Sequence, residues 1–194
     1  MANFRPARLP WALEPEMPSI ISHPAVPLAL ALGLGRQVVS ERLLLAGVAA
    51  SVVPDLDVVA FRLGIPYADD LGHRGFTHSL LFAAFVALTA ACAFRALRTT
   101  FTRAFWFVLV ATASHGILDS FTNGGLGVAF FWPWSGERYF APIRVIEVSP
   151  LSIQRFISEA GARVLLSELI WVWAPCALLA ALLLTVRKTR ALGD

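Results

Sequence analysis

Long apolar runs dominate this chain and leave it few ways to fold. Residues 77–97 are almost wholly apolar after His78, and residues 164–186 form the longest clean stretch before RKTR. About 20 helical residues are needed to cross the hydrocarbon core of a bilayer. Inside lipid the backbone must satisfy its own hydrogen bonds, which favours helices for such runs. Three further segments complete the pattern. Residues 23–39 are opened by Pro24 and Pro27 and weakened by Gly33 and Gly35; residues 42–63 carry Pro54, a break or kink; residues 101–121 follow. With 57% hydrophobic and 15% charged residues, a chain of 194 residues cannot clothe a soluble domain in polar surface. The expected fold is all-α: an integral membrane helical bundle with four or five transmembrane helices.

Residues 1–22 read as an irregular tail. Pro6, Pro10, Pro15 and Pro18 interrupt them, no apolar core of a signal peptide follows, and Trp11 suits an interfacial contact. Residues 23–194 then form a single membrane-embedded domain with an outer loop at 122–163. The stretch GGLGVAFFWPWSGERYF reads as a structured loop at membrane level, and SPLSIQRFISEAGARVL as an amphipathic surface helix. The net charge of +3 comes from scattered basic residues without interleaved aromatics, which argues against nucleic acid as a partner. Cys92 and Cys176 lie in apolar runs without CxxC spacing and read as small buried residues. Arg36 and Arg42, then Arg95, Arg98 and Arg103, then Arg187, Lys188 and Arg190 mark alternate span ends. Short basic loops stay in the cytoplasm, so the C-terminus is expected inside.

The four histidines, His23, His73, His78 and His115, all fall at or just before the outer ends of these segments. His115 and Asp119 share a helix face at i and i+4 and can reach one ion. Asp55 and Asp57, in VVPDLD, lie at similar depth, but i and i+2 point apart in a regular helix. Both serve one site only if Pro54 distorts the backbone. Ionisable groups in a membrane segment cost several kcal/mol unless paired or hydrated, and a divalent cation shared by these residues relieves that cost. Imidazole nitrogen with carboxylate oxygen and no thiolate suits zinc, and also permits Mn2+ or Fe2+. The set can hold one to three ions.

Blander readings stand beside this one. His115 with Asp119 alone is a packing hydrogen bond or a proton relay, His78 an interfacial residue with Thr77 capping the helix, and Asp55 with Asp57 a solvated helix end. Arg74 suits a phosphate or carboxylate oxygen, or else a salt bridge to Asp69, Asp70 or a site aspartate. Arg138 and Arg144 read as solvated or snorkelling, Asn123, Trp132 and Trp134 as loop structure, and Glu147 as a weaker acid/base candidate.

PDLD, HRGFTHSLL and SHGILDSFTNGG with the following WPWS resemble the membrane-bound metal-dependent hydrolase family, whose bacterial members include a LexA-regulated inner-membrane protein. The likeness covers residues 23–150, with HRGxTHS its specific part. A more distant similarity is to zinc-dependent phospholipase C. It implies His115 and Asp119 as ligands, joined by Asp55 and by His73 or His78, with His23 serving a second metal that shares Asp119. No histidine follows Asp119, so the remaining ligands of a three-zinc cluster are absent, unless His73 and His78 replace them. The resemblance implies a bacterial inner-membrane hydrolase, and the orientation read from the basic loops puts its site toward the outer face. Its substrate is expected to be a phosphoester in a lipid or lipid-linked molecule. Asp57 or Asp55, whichever does not ligate, is the expected base, and Arg74 the expected holder of the anionic group. The rivals are a metal or proton transporter, which needs ligands continuing through LLFAAFVALTAACAF where there are none, and a structural metal that pins helices together.

Overall fold

The computed structural model describes residues 19–149 and 156–193. Each of the five apolar segments contains helix, and the described residues hold no strand beyond two isolated bridges, Thr122 with Ile146 and Val128 with Tyr139. Helix α1 (Ala25–Leu34) stops earlier than its hydropathy suggests. Gly35 takes φ 80°, a left-handed conformation that closes a helix without a Cβ penalty. Helix α2 (Glu41–Ala50) starts at Ser40, whose side chain accepts from the Leu43 amide. Pro54 then falls in the first turn of a 3-10 segment, Val53–Val58, which leads into α3 (Val59–Arg62). A proline lacks the N–H an α-helical ladder needs, so the tighter winding sits where the sequence places the kink.

Helix α4 (Leu80–Cys92) is capped by Ser79 and not by Thr77, because residues 76–78 form a separate 3-10 turn. Helix α5 (Phe101–Ser120) is capped by Thr100. Helices α6 (Glu159–Glu168) and α7 (Ala174–Gly193) join through a π-helical turn, Leu169–Trp173. This corrects the surface helix expected over 149–165. From Glu159 onward it is the first part of the last long helix, and 150–155 lie outside the described residues. Most of the expected tail, residues 1–18 with Trp11, also lies outside them, while Ser19 to Ser22 form a turn.

Three helices are long and apolar enough to cross a membrane: Glu41–Arg62, Phe101–Ser120 and Glu159–Ala191; α1 and α4 are shorter apolar helices. Packing relies on small residues, as it does where lipid provides no hydrophobic drive between helices. Gly47 of α2 lies against Phe107 of α5, and Gly33 of α1 against Leu183 of α7. Leu43, Ala87, Ala91, Ala104 and Val108 fill the interior, while Phe85, Trp106, Leu178 and Leu182 face outward. At one end Arg42 Nη1 donates to the Ala96 carbonyl (3.0 Å), Arg103 Nη1 to the Gln37 carbonyl (3.1 Å), and Arg187 reaches Gly35. The histidines and aspartates gather at the other end.

Candidate metal centre

Four elements deliver the cluster. His23 precedes α1, Asp55 and Asp57 ride on the 3-10 segment, His73 and His78 flank the turn into α4, and His115 and Asp119 occupy the last turns of α5. All seven are buried. The HRG turn is locally strained: Arg74 holds φ 59°, rare for a residue with a Cβ, and a side chain at Gly75 would strike the Asp70 carbonyl. That turn folds His73 and Arg74 inward together.

The tautomers can be read from the partners. His115 Nδ1 lies 2.7 Å from the Ser51 carbonyl, which can only accept, so Nδ1 carries the hydrogen and Nε2 is bare. Thr77 Oγ1 donates to Asp57 Oδ2 (2.6 Å), so toward His78 Nδ1 (3.0 Å) it accepts, and Nδ1 again carries the hydrogen. The two Nε2 atoms, His115 and His78, are only 3.0 Å apart. Around them stand Asp55 Oδ1, 3.3 Å from His115, and Asp119 Oδ2, 3.2 Å from His78. Ligand atoms from Asp55, His78, His115 and Asp119 all lie within 4.8 Å of one another. His23 stacks on His115 at 3.7 Å, with Nε2 3.6 Å from Asp55 and 3.8 Å from Asp119. Both oxygens of Asp55, Asp119 Oδ1 and both nitrogens of His23 are buried without a hydrogen-bond partner, while Asp119 Oδ2 is met by Arg74 Nε at 3.1 Å. Converging lone pairs of this kind call for a cation.

Asp57 has a different environment. It accepts from His73 Nδ1 (2.6 Å), Thr77 Oγ1 (2.6 Å) and the Arg74 amide (3.2 Å), and lies 3.2 Å from His78 Nδ1. Asp57, His73 and His78 form a second possible ligand group. The sequence left open how both aspartates could serve one site: they stand on either side of His78, Asp55 toward its Nε2 and Asp57 toward its Nδ1.

With all rings neutral, Asp55, Asp57, Asp119 and the Arg74 guanidinium together carry two negative charges, the charge one divalent ion would balance. Burial, with the nearby His115, lowers the His23 pKa to about 3, and burial lowers that of His73, so both offer neutral rings. Burial alone would lower His78 as well, but hydrogen bonds to Asp119 and Asp57 outweigh it and raise it to about 9. The two carboxylates demand a cation at that ring, either a proton or a metal.

Arg74 is wholly buried. Its Nε lies 3.1 Å from Asp119 Oδ2, and Nη1 donates to Thr122 Oγ1 (3.0 Å) and the Gly124 carbonyl (3.1 Å), while Nη2 has no partner. The salt bridge to a site aspartate is therefore present. Tyr67, also buried, reaches the same loop at Gly125, and burial pushes its phenol up to about 12. Arg138 donates to the carbonyls of His73, Tyr67 and Asp69, and Arg144 sits over the Phe140 ring; both brace the loop. Glu147 stands outside the cluster, paired with Arg163. Four groups escaped the sequence reading: the Ser51 carbonyl, Thr77 as partner of Asp57, Tyr67 and Thr122. A carbonyl or hydroxyl carries no spacing signal that would have revealed them.

The sequence profile of the YdjM inner membrane protein family matches residues 17–191. A curated relative, the inner membrane protein YbcI of Escherichia coli (strain K12), is 48% identical over 170 residues, 86% of this chain and 97% of the relative. No solved structure matches.

Proposed function

The chain belongs to the YdjM inner membrane protein family, and from that premise we propose that it is a membrane-bound metal-dependent hydrolase acting on a phosphoester of a lipid or lipid-linked substrate. The observation that carries the metal is the pair of imidazole nitrogens, His78 Nε2 and His115 Nε2, facing each other at 3.0 Å between two carboxylates. Asp55, His78, His115 and Asp119 would hold the ion, with His23 as a further ligand, and the nitrogen-oxygen donor set favours zinc. A divalent cation there supplies Lewis acidity and makes a water in the site acidic enough to attack near neutral pH.

The chain's own groups complete the reaction. Of the two aspartates expected as alternative bases, Asp55 stands among the proposed ligands, and Asp57 has its lone pairs engaged by three donors and serves better to orient. His73 is the better base. Its Nδ1 hydrogen rests on Asp57 at 2.6 Å, while its Nε2 is buried without a partner and free to take a proton. The carboxylate behind the ring stabilises the imidazolium that results, as in other histidine bases. The free Nη2 of Arg74 offers its hydrogens to a phosphate oxygen, with Nε and Nη1 holding the guanidinium in place. With the bundle spanning a bilayer, these span ends would meet the interface, the depth of lipid head-group phosphates.

Complete burial of His23, His115 and Asp119 favours a rival in which the ion only pins the helices. One assay separates the two. The purified protein is analysed for metal and offered phosphomonoesters, phosphodiesters and phospholipids with and without chelator. Turnover abolished by chelator and restored by metal supports hydrolysis. Bound metal without turnover on any substrate leaves the structural role, and unchanged metal content in both His115→Ala and Asp119→Ala overturns the site.

A further inference from the structure

Glu168 is a carboxyl group buried inside the last membrane-spanning helix, and neither the ligand set nor the proposed chemistry uses it. Only 1% of it is exposed. It lies within Glu159–Ala191, a helix long and apolar enough to cross a membrane, and a carboxyl buried there needs hydrogen-bond partners. Its two oxygens are both occupied: Oε1 accepts from the Ser19 amide at 2.7 Å and Oε2 from the Ser19 hydroxyl at 2.6 Å. The π-helical turn begins at the next residue, Leu169, and such turns cluster at functional sites.

Ser19 leads directly to His23. The Ser19 carbonyl accepts from the Ser22 amide (3.1 Å), the Ser22 carbonyl from the Ala25 amide (3.1 Å), and α1 follows. One turn beyond Glu168, Val172 packs with Ala25 and Ile146. His23, between these two anchors, has no hydrogen bond on either ring nitrogen; stacking on His115 is its only ring contact among the described residues. The ring is therefore placed by its backbone, and the polar anchor of that backbone is Glu168.

We infer that Glu168 is a positioning residue for the metal centre, clasping Ser19 so that the His23 imidazole is presented to Asp55 and Asp119. This rests on the metal-binding reading above. A carboxylate performs this task where an amide or hydroxyl would do it poorly, because two parallel acceptors grip one residue's N–H and O–H together and fix its orientation. Partners standing behind metal ligands typically alter metal affinity by about 10–100-fold when removed.

The test is a double-mutant cycle on the full-length protein in detergent, using Co2+ as probe. Affinity is read by chelator competition and ligand geometry by the visible absorption of the bound ion. Glu168→Leu is expected to weaken Co2+ by at least about tenfold and shift its spectrum toward that of His23→Ala. Glu168→Gln, which keeps one good acceptor, should lose less. Adding Glu168→Leu to His23→Ala should cost nothing further, since both remove the same ligand. If Glu168→Leu does not fold, Ser19→Ala takes its place with a smaller loss in the same direction. Wild-type affinity and spectrum in these variants overturn the inference, as does an equal loss in the His23→Ala background. A wild-type protein that binds no Co2+ and contains no metal instead overturns the metal centre itself.

Discussion

Which nitrogen of each imidazole keeps its hydrogen decides the chemistry at the scale of single residues. Ser51 and Thr77 make that choice for His115 and His78, turning both Nε2 atoms toward Asp55 and Asp119. Asp57 enforces it from behind, through Thr77 and through its own approach to His78 Nδ1. Asp57→Asn should therefore weaken metal binding by about 10–100-fold without abolishing it, measured by chelator competition. Loss as complete as in Asp119→Ala would make Asp57 a direct ligand. The raised pKa of His78, about 9, adds a pH dependence with a definite sign. Below that value the metal-free ring is protonated and an incoming ion must displace the proton, so apparent affinity should fall about tenfold per pH unit from 9 toward 7. Calorimetry in buffers of different ionisation enthalpy should register about one proton released at pH 7.5, and a pH-independent affinity would show that His78 does not ligate. The seven buried ionisable residues stood out in the sequence because such groups are costly at a lipid boundary unless paired or hydrated. Their division of labour was not, since it depends on a backbone carbonyl and a hydroxyl that any sequence offers in abundance.

Single elements set how closely those side chains can meet. Pro54 converts the end of α2 into a 3-10 segment, and the tighter winding lets Asp55 and Asp57 flank one histidine. The proline made that distortion readable in advance. The helix limits around it were not, because α1 ends where Gly35 adopts a left-handed backbone and α4 waits for Ser79, local choices that apolar composition hides. Likewise Glu159 to Glu168 looked amphipathic in isolation, yet they continue into the last span. Where α2 crosses α5, a Cβ on Gly47 would overlap the Phe107 ring. Gly47→Leu must push the two helices apart, and overpacking of this kind typically costs about 1–3 kcal/mol. Thermal unfolding in detergent should fall accordingly, and metal affinity with it, because α5 carries His115 and Asp119. An unchanged melting temperature would mean that α2 and α5 do not depend on the close approach of Gly47 to Phe107.

For the whole molecule, the decisive property is its polarity from end to end. Arg36, Arg42, Arg103, Arg187 and Lys188 crowd one end through contacts between α1, α2, α5 and α7, whereas the acidic and imidazole cluster sits at the other. Basic residues resist translocation, so a bundle built this way should insert with its basic end inward. In that orientation the cluster would lie toward the outer leaflet, and a lipid-linked phosphate would reach it from outside the cell. A reporter pair fused after Arg190 tests the arrangement: a fluorescent protein there should light up and alkaline phosphatase should stay inactive. A phosphatase inserted at Gly136, in the loop covering the cluster, should be active. Reversing both signals would place the site inside, and the search for a substrate would move to soluble cytoplasmic phosphoesters while the ligand set stood unaltered. Charge placement and site chemistry are thus independent claims about this fold, and only the first decides which side of the membrane supplies the substrate.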